Sequence, residues 1–302
     1  MIEPQSTDGA EYEREWRLAV AARDAGRLDE AVEHLDSCMA IATRNGDEEL
    51  EERVLCARAS IAFLRGEGDE YIPRLCQIVL RNRSDVNGFL AANNVARACE
   101  LRRDYRKGLF YGRIARERAT ALGRPQWVAA AINQIANLLL AESYFDQAAG
   151  LYREALALVP AEDSSRQLTY MANLGYCDLV LGNSRDGLTV LYRCLRSARR
   201  HGWERLEMIA RIDLCYAHLE LGRLEAAERH GRRGLELGES IGETDWVKNA
   251  LYLLGEVAVL SGSASRGYAW FHELQHRFYP EQPHLPELLL AVDVRKLINL
   301  RA

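Results

Sequence analysis

The sequence predicts an all-α chain built as a stack of helix hairpins, and three observations carry that reading. Polar, turn-forming breaks recur about every 40 residues. The segments between them are apolar at helical spacing and nowhere alternate like a strand. Small residues recur at fixed places within those segments.

The units follow in order. Unit one breaks at AGRLDEA, around Gly26, and carries Ala19, Ala31 and Cys38 at its three small sites. Unit two breaks at RGEGDEY, and its equivalent sites are Ala59, Tyr71 and Ile78. Two of these are large and the break holds both Gly66 and Gly68, so a local distortion is expected there. Unit three breaks at RRDYRKG around Asp104, with Ala96, Gly108 and Ala115. Unit four breaks at ESYFDQA around Ser143, with Ala136, Ala148 and Ala155, and Pro160 is expected to stop its second helix. Units five to seven break at Gly182, Gly222 and Gly262. Their sets are Gly175, Gly187 and Cys194; Cys215, Ala227 and Gly234; and Gly255, Gly267 and Leu274. Two antiparallel helices come close only where the facing side chains are small, and a larger residue there overpacks the contact.

The stretches ANLLLAESYFDQAAGLYREALALVP and LGRLEAAERHGRRGLEL resemble tetratricopeptide repeats, with a small–aromatic–small pattern and a closing proline. The resemblance covers about residues 10–280. It implies a right-handed α-solenoid of about seven tetratricopeptide-like hairpins. The period is about 40 rather than 34, which resembles the longer repeats of bacterial regulatory proteins. Residues 1–9 read as a flexible lead. Residues 284–302 read as an apolar capping or docking helix, opened by Pro286 and carrying Leu288, Leu289, Val292, Leu297 and Ile298. Of these, Leu288, Leu289, Val292 and Leu297 would form a docking face for a partner or a second copy of the chain.

Composition narrows the function classes. The chain of 302 residues is 48% hydrophobic and 27% charged, with a net charge of −5. That balance does not favour nucleic acid. No segment approaches a membrane span, and the opening MIEPQSTDGAEY lacks the pattern of a secretory signal. Seven cysteines without paired spacing point to free thiols in a reducing cytoplasm. Arginine far exceeds lysine, which suggests a GC-rich bacterial genome.

One motif argues for chemistry. His272-Glu273-Leu-Gln-His276 has the spacing of a zinc-protease helix. Here it falls on the second helix of unit seven, with Leu274 on the packing site. No histidine follows at the expected distance, where Gln282 stands, and Gln275 and Arg277 flank the pair. His272 and His276 are therefore only a weak metal candidate. No catalytic residue, metal or cofactor is assigned, and the chain reads as a non-enzyme.

In a solenoid the first helix of each pair lines the concave face. The residues just before and after each small site then point to a groove. These are Asn93 and Arg97 in unit three, Asn133 and Asn137 in unit four, Tyr176 in unit five, Tyr216 in unit six and Tyr252 in unit seven. Asparagine pairs with both polar groups of an extended backbone, and tyrosine offers apolar area with a polar tip. The expected function is a protein-interaction adaptor that binds a partner peptide or helix in this groove. The alternative is a regulatory sensor whose repeats bind a signal peptide or small ligand and control a docked output protein.

Overall fold

The hairpin pattern becomes helices throughout. The computed structural model describes residues 7–302, except 25, 160–163 and 296. Among the described residues there are fifteen α-helices, one 3-10 turn and no strand. The helices are α1 Thr7–Asp24, α2 Leu28–Asn45, α3 Glu48–Leu64, α4 Ile72–Arg81, α5 Asp85–Leu101, α6 Tyr105–Ala121, α7 Pro125–Ala141, α8 Phe145–Ala157, α9 Ser165–Val180, α10 Ser184–His201, α11 Glu204–Glu220, α12 Leu224–Ile241, α13 Thr244–Leu260, α14 Ala264–Phe278 and α15 Leu285–Ala291. They form seven consecutive hairpins followed by one short helix. This is the architecture of a solenoid of tetratricopeptide-like repeats.

Contacts divide the chain into two units, residues 1–138 and 139–302. In the first, α1 packs on α2, α2 on α3, α4 on α5 and α5 on α6, and the first helices α3 and α5 also touch. In the second, α8 to α15 pack in succession, and the first helices α9, α11 and α13 lie side by side.

The turns explain the period. Gly26, Gly66, Gly182, Gly222 and Gly262 all take the left-handed conformation between the helices of a pair. Arg103 and Ser143 take it at the same place in units three and four, where glycine is missing. Backbone geometry is thus shared even where the sequence signal lapses, at a cost of about 1 kcal/mol for each non-glycine residue.

The small sites are close contacts. A Cβ on Gly108 would stand 2.6 Å from the Leu138 side chain, and one on Gly187 would stand 2.8 Å from the Gly175 carbonyl. A Cβ on Gly234 would meet Ile212 at 2.6 Å. Cysteine uses the third site differently. The thiols of Cys38 and Cys194 lie 3.8 and 3.7 Å from the carbonyl oxygens of Tyr12 and Leu168, as weak hydrogen bonds between paired helices. All seven cysteines are free thiols, and only Cys76 is not buried.

Unit two is distorted where its glycines stand. Gly68 is left-handed, a 3-10 turn covers Asp69–Tyr71, and α4 is only ten residues long with a proline in its first turn. Pro160 and residues 1–6 lie outside the described residues. The helix α1 begins at Thr7, inside the segment read as a flexible lead.

The last segment differs from its sequence reading. A helix through Ile298 is expected, but α15 ends at Ala291 and Val292 is extended. Asp293 supplies the physical reason. Its carboxylate accepts the Arg295 backbone N–H at 3.1 Å and the Arg295 guanidinium at 2.9 and 2.5 Å. A side chain that satisfies the backbone two residues on competes with helix continuation. Beyond it the chain leaves the helical path and runs along α9, α11 and α13.

Candidate functional site

The site in residues 139–302 is built from three first helices and the segment 292–302. Tyr176 comes from α9, Asp213 and Tyr216 from α11, and Trp246, Asn249, Tyr252 and Glu256 from α13. Tyr176, Tyr216 and Glu256 each stand one residue after the small site of their helix, and the repeat lines such equivalent positions up side by side.

Asn299 enters first. Its amide donates to the Leu140 carbonyl at 2.7 Å and to Ser143 Oγ at 3.2 Å, and its Oδ1 accepts from the Tyr176 hydroxyl at 3.3 Å. The Leu300 backbone is held at both ends. Its N–H donates to the Tyr176 hydroxyl at 3.0 Å, and its carbonyl accepts from Asn249 Nδ2 at 2.8 Å. Arg301 then lies between two rings, 4.7 Å from the Tyr176 centroid and 4.2 Å from that of Trp246. Its Nη2 donates to Asp213 Oδ2 at 2.7 Å. Further out, Arg295 lies 3.5 Å from both Glu220 and Glu256.

The electrostatics are those of a covered site. Asp213 is wholly buried (0% exposed). Burial pushes its carboxyl up to about 6, against the pull of Arg301. Glu256 is pushed up to about 7, first by burial, with Arg295 acting the other way. Burial also raises the Tyr216 hydroxyl to about 12 and moves those of Tyr176 and Tyr252 upward. A buried carboxylate is costly unless paired, and here a guanidinium pairs it.

The sequence-derived groove residues divide between the two units. In residues 1–138, Asn93, Arg97, Asn133 and Asn137 are all half-buried, on α5 and α7. Beside them Gln134 Nε2 donates to Glu100 Oε2 at 2.6 Å, and burial raises the Glu100 carboxyl. In residues 139–302, Tyr176 is buried beneath the segment and touches it directly. The Tyr216 ring lies 6.0 Å from that of Tyr176, and Tyr252 is buried. Sequence reasoning missed Asp213, Trp246 and Asn249. A signal for Asp213 existed. Asn94, Gln134, Asn173 and Asp213 stand two residues before the small site in four successive units, a polar run in an otherwise apolar register.

Of the docking-face residues, Leu289 is buried, while Leu288, Val292 and Leu297 are exposed, Leu297 at 80%. His272 and His276 are exposed on α14, their rings 6.4 Å apart, and Glu273 pairs with Arg277 at 3.1 Å. Among the described residues, no three His, Cys, Asp or Glu side chains are grouped to hold a metal ion. No described helix is long and apolar enough to cross a membrane.

A second polar cluster lies in α10–α12. The Tyr192 hydroxyl bonds His218 Nε2 at 2.7 Å, and His218 stacks on His230 with ring centroids 5.5 Å apart. Burial lowers both imidazoles, aided by nearby arginines, and His230 falls to about 4. An unfolded histidine titrates near 6.5. Between about pH 6.5 and 4 the unfolded chain therefore takes up a proton that the folded His230 refuses, and stability is lost as pH falls. Glu256 and Asp213 act oppositely in this range, since their folded values are raised. His230→Gln isolates the imidazole. Urea unfolding of the variant is expected to lose about 2 kcal/mol less than wild type between pH 7 and 4. Parallel pH profiles would contradict the assignment.

Comparison with known proteins agrees with this architecture. The solved structures similar to this chain include the apo form of RapI, with a TM-score of 0.64, 10% identity, and coverage of 96% of this chain and 85% of that one. They also include a tetratricopeptide repeat protein from Parabacteroides merdae, with a TM-score of 0.51, 15% identity, and coverage of 96% and 100%. No protein-family model and no curated protein matches the sequence. At such identities the likeness shows the fold alone, a stack of tetratricopeptide-like helix hairpins.

Proposed function

We propose that this chain is a non-enzymatic protein-interaction scaffold that binds an extended peptide segment of a partner on the first-helix face of residues 139–302. One observation carries the reading. That face already holds a non-helical segment through side chains from three repeats, with the Leu300 backbone bonded at both its N–H and its carbonyl. Backbone bonds give affinity to any extended chain, and the pockets on either side give selectivity. The aromatic lining is of the kind that carries interface energy. Within residues 1–138, Asn93, Arg97, Asn133 and Asn137 offer a separate polar surface suited to a polypeptide backbone.

Selection from a displayed library of random twelve-residue peptides tests this. Wild type is expected to enrich binders, and Tyr216→Ala is expected to lose at least about tenfold in affinity for them, the worth of one central aromatic. No enrichment, or binders indifferent to Tyr216, would contradict the proposal.

A further inference from the structure

We infer that the site on α9, α11 and α13 is an arginine-directed peptide site occupied by the chain's own segment 292–302, and that its external ligand is an extended partner segment whose arginine takes the seat of Arg301. The inference rests on the scaffold reading and adds a ligand class and an internal competitor to it.

The seat is specific for a guanidinium. Two aromatic rings flank it at 4.7 and 4.2 Å, and a wholly buried carboxylate closes its end. A flat, delocalised cation stacks on both rings and bonds the carboxylate at its edge. The compact, strongly hydrated ammonium of lysine fits neither demand. A buried aspartate among packed helices stabilises nothing by itself, so its presence at the end of an aromatic slot marks a place built for a cation.

The occupant reads as a ligand. Asn299, Leu300 and Arg301 are gripped by groups of repeats far away in sequence, from the Leu140 carbonyl to the Asp213 and Asn249 side chains. Before them, Arg295 pairs with the helices, 3.5 Å from Glu220 and Glu256, while Val292, Leu297 and Ile298 are exposed. Release would need no helix to move, because α15 keeps its own packing on α14.

The fit is also incomplete. Arg301 Nε and Nη1 and Asp213 Oδ1 have no hydrogen-bond partner among the described residues. The pair is bonded through one nitrogen and one oxygen, where arginine and carboxylate commonly form two parallel bonds. A partner arginine entering from another direction could form both. The internal segment therefore competes through its tether, which keeps its local concentration near the millimolar range, more than through its fit.

The test uses full-length chains and a labelled peptide, VDVRKLINLRA, matching residues 292–302, read by fluorescence anisotropy. The Asn299→Ala/Arg301→Ala chain, whose own segment is weakened, is expected to bind the peptide at least about tenfold more tightly than wild type. A peptide with alanine at the position of Arg301 is expected to lose that binding. Adding Asp213→Asn to the released chain should abolish it. Trp246→Leu, a change at a half-buried ring, should weaken it if the Asp213 variant does not fold. Equal binding by the wild-type and released chains, or equal binding of the alanine peptide, would overturn the inference. So would a wild-type dimer by light scattering that becomes monomeric in the double variant, since the segment would then occupy a second copy. Library peptides that depend on Tyr216 but carry no arginine, and gain nothing on release, would leave the scaffold standing while the inference falls. No binder to either chain would remove both.

Discussion

Gly255→Ala is expected to destabilise residues 139–302 by about 2 kcal/mol, while Gly150→Ala stabilises them by up to about 1 kcal/mol. Both glycines lie inside helices, so alanine gains about 1 kcal/mol of helix propensity at each. The surroundings decide the sign. Gly150 is exposed, and a Cβ there meets nothing within 4 Å. At Gly255 a Cβ would press into the Phe271 ring, 2.5 Å from Cδ1, and Phe271 is fully buried. The ring has no free space to turn into, so the overpacking cost, about 3 kcal/mol at the upper end of its range, exceeds the propensity gain. Urea unfolding of both variants measures the pair. The same sign at both positions would mean that the small-residue register does not set the helix contacts.

Arg301→Ala is expected to free the segment 292–302 while leaving the helices almost unchanged. Breaking a buried ion pair costs about 3–5 kcal/mol when the survivor stays buried. Here it need not stay buried, because the segment can lift away and let water reach Asp213. The global cost is then capped at whatever docking contributes. Hydrogen exchange should show protection at Leu300 falling by about a hundredfold, the equivalent of roughly 3 kcal/mol. The unfolding midpoint should shift by less than about 1 kcal/mol. If the midpoint falls as far as local protection does, the segment is part of the folded core and not a detachable occupant.

These two expectations rest on parts of the molecule that differed in how plainly the sequence announced them. The repeat was legible because its physics is local and periodic. A small residue is needed wherever paired helices touch, and a left-handed residue is needed at each turn. Where glycine was absent, at Arg103 and Ser143, the apolar spacing on either side still located the turn. The distortion of unit two was legible for the same reason, since Tyr71 and Ile78 cannot sit where small residues are required.

The site was legible only in part. Counting from the small sites found Tyr176, Tyr216 and Tyr252, but not Asp213, Trp246 or Asn249. Asp213 escaped because its register faces the packed interior, where a lone carboxylate has no reading until a cation from elsewhere in the chain arrives. The segment after Ala291 was misread for a related reason. Its apolar residues suggest a helix, yet Asp293 turns the backbone and Asn299 and Arg301 find partners more than 80 residues away in sequence. Local patterns cannot report contacts of that range.

The central claim is that residues 299–301 occupy the first-helix face, and the most direct measurement is a nuclear Overhauser spectrum of the wild-type chain with selectively labelled leucine and tyrosine. The account predicts a strong contact between the Leu300 amide proton and the Tyr176 ring, since the Leu300 nitrogen lies 3.0 Å from the Tyr176 hydroxyl. A Leu300 amide with a random-coil shift and no contact to Tyr176 would contradict it.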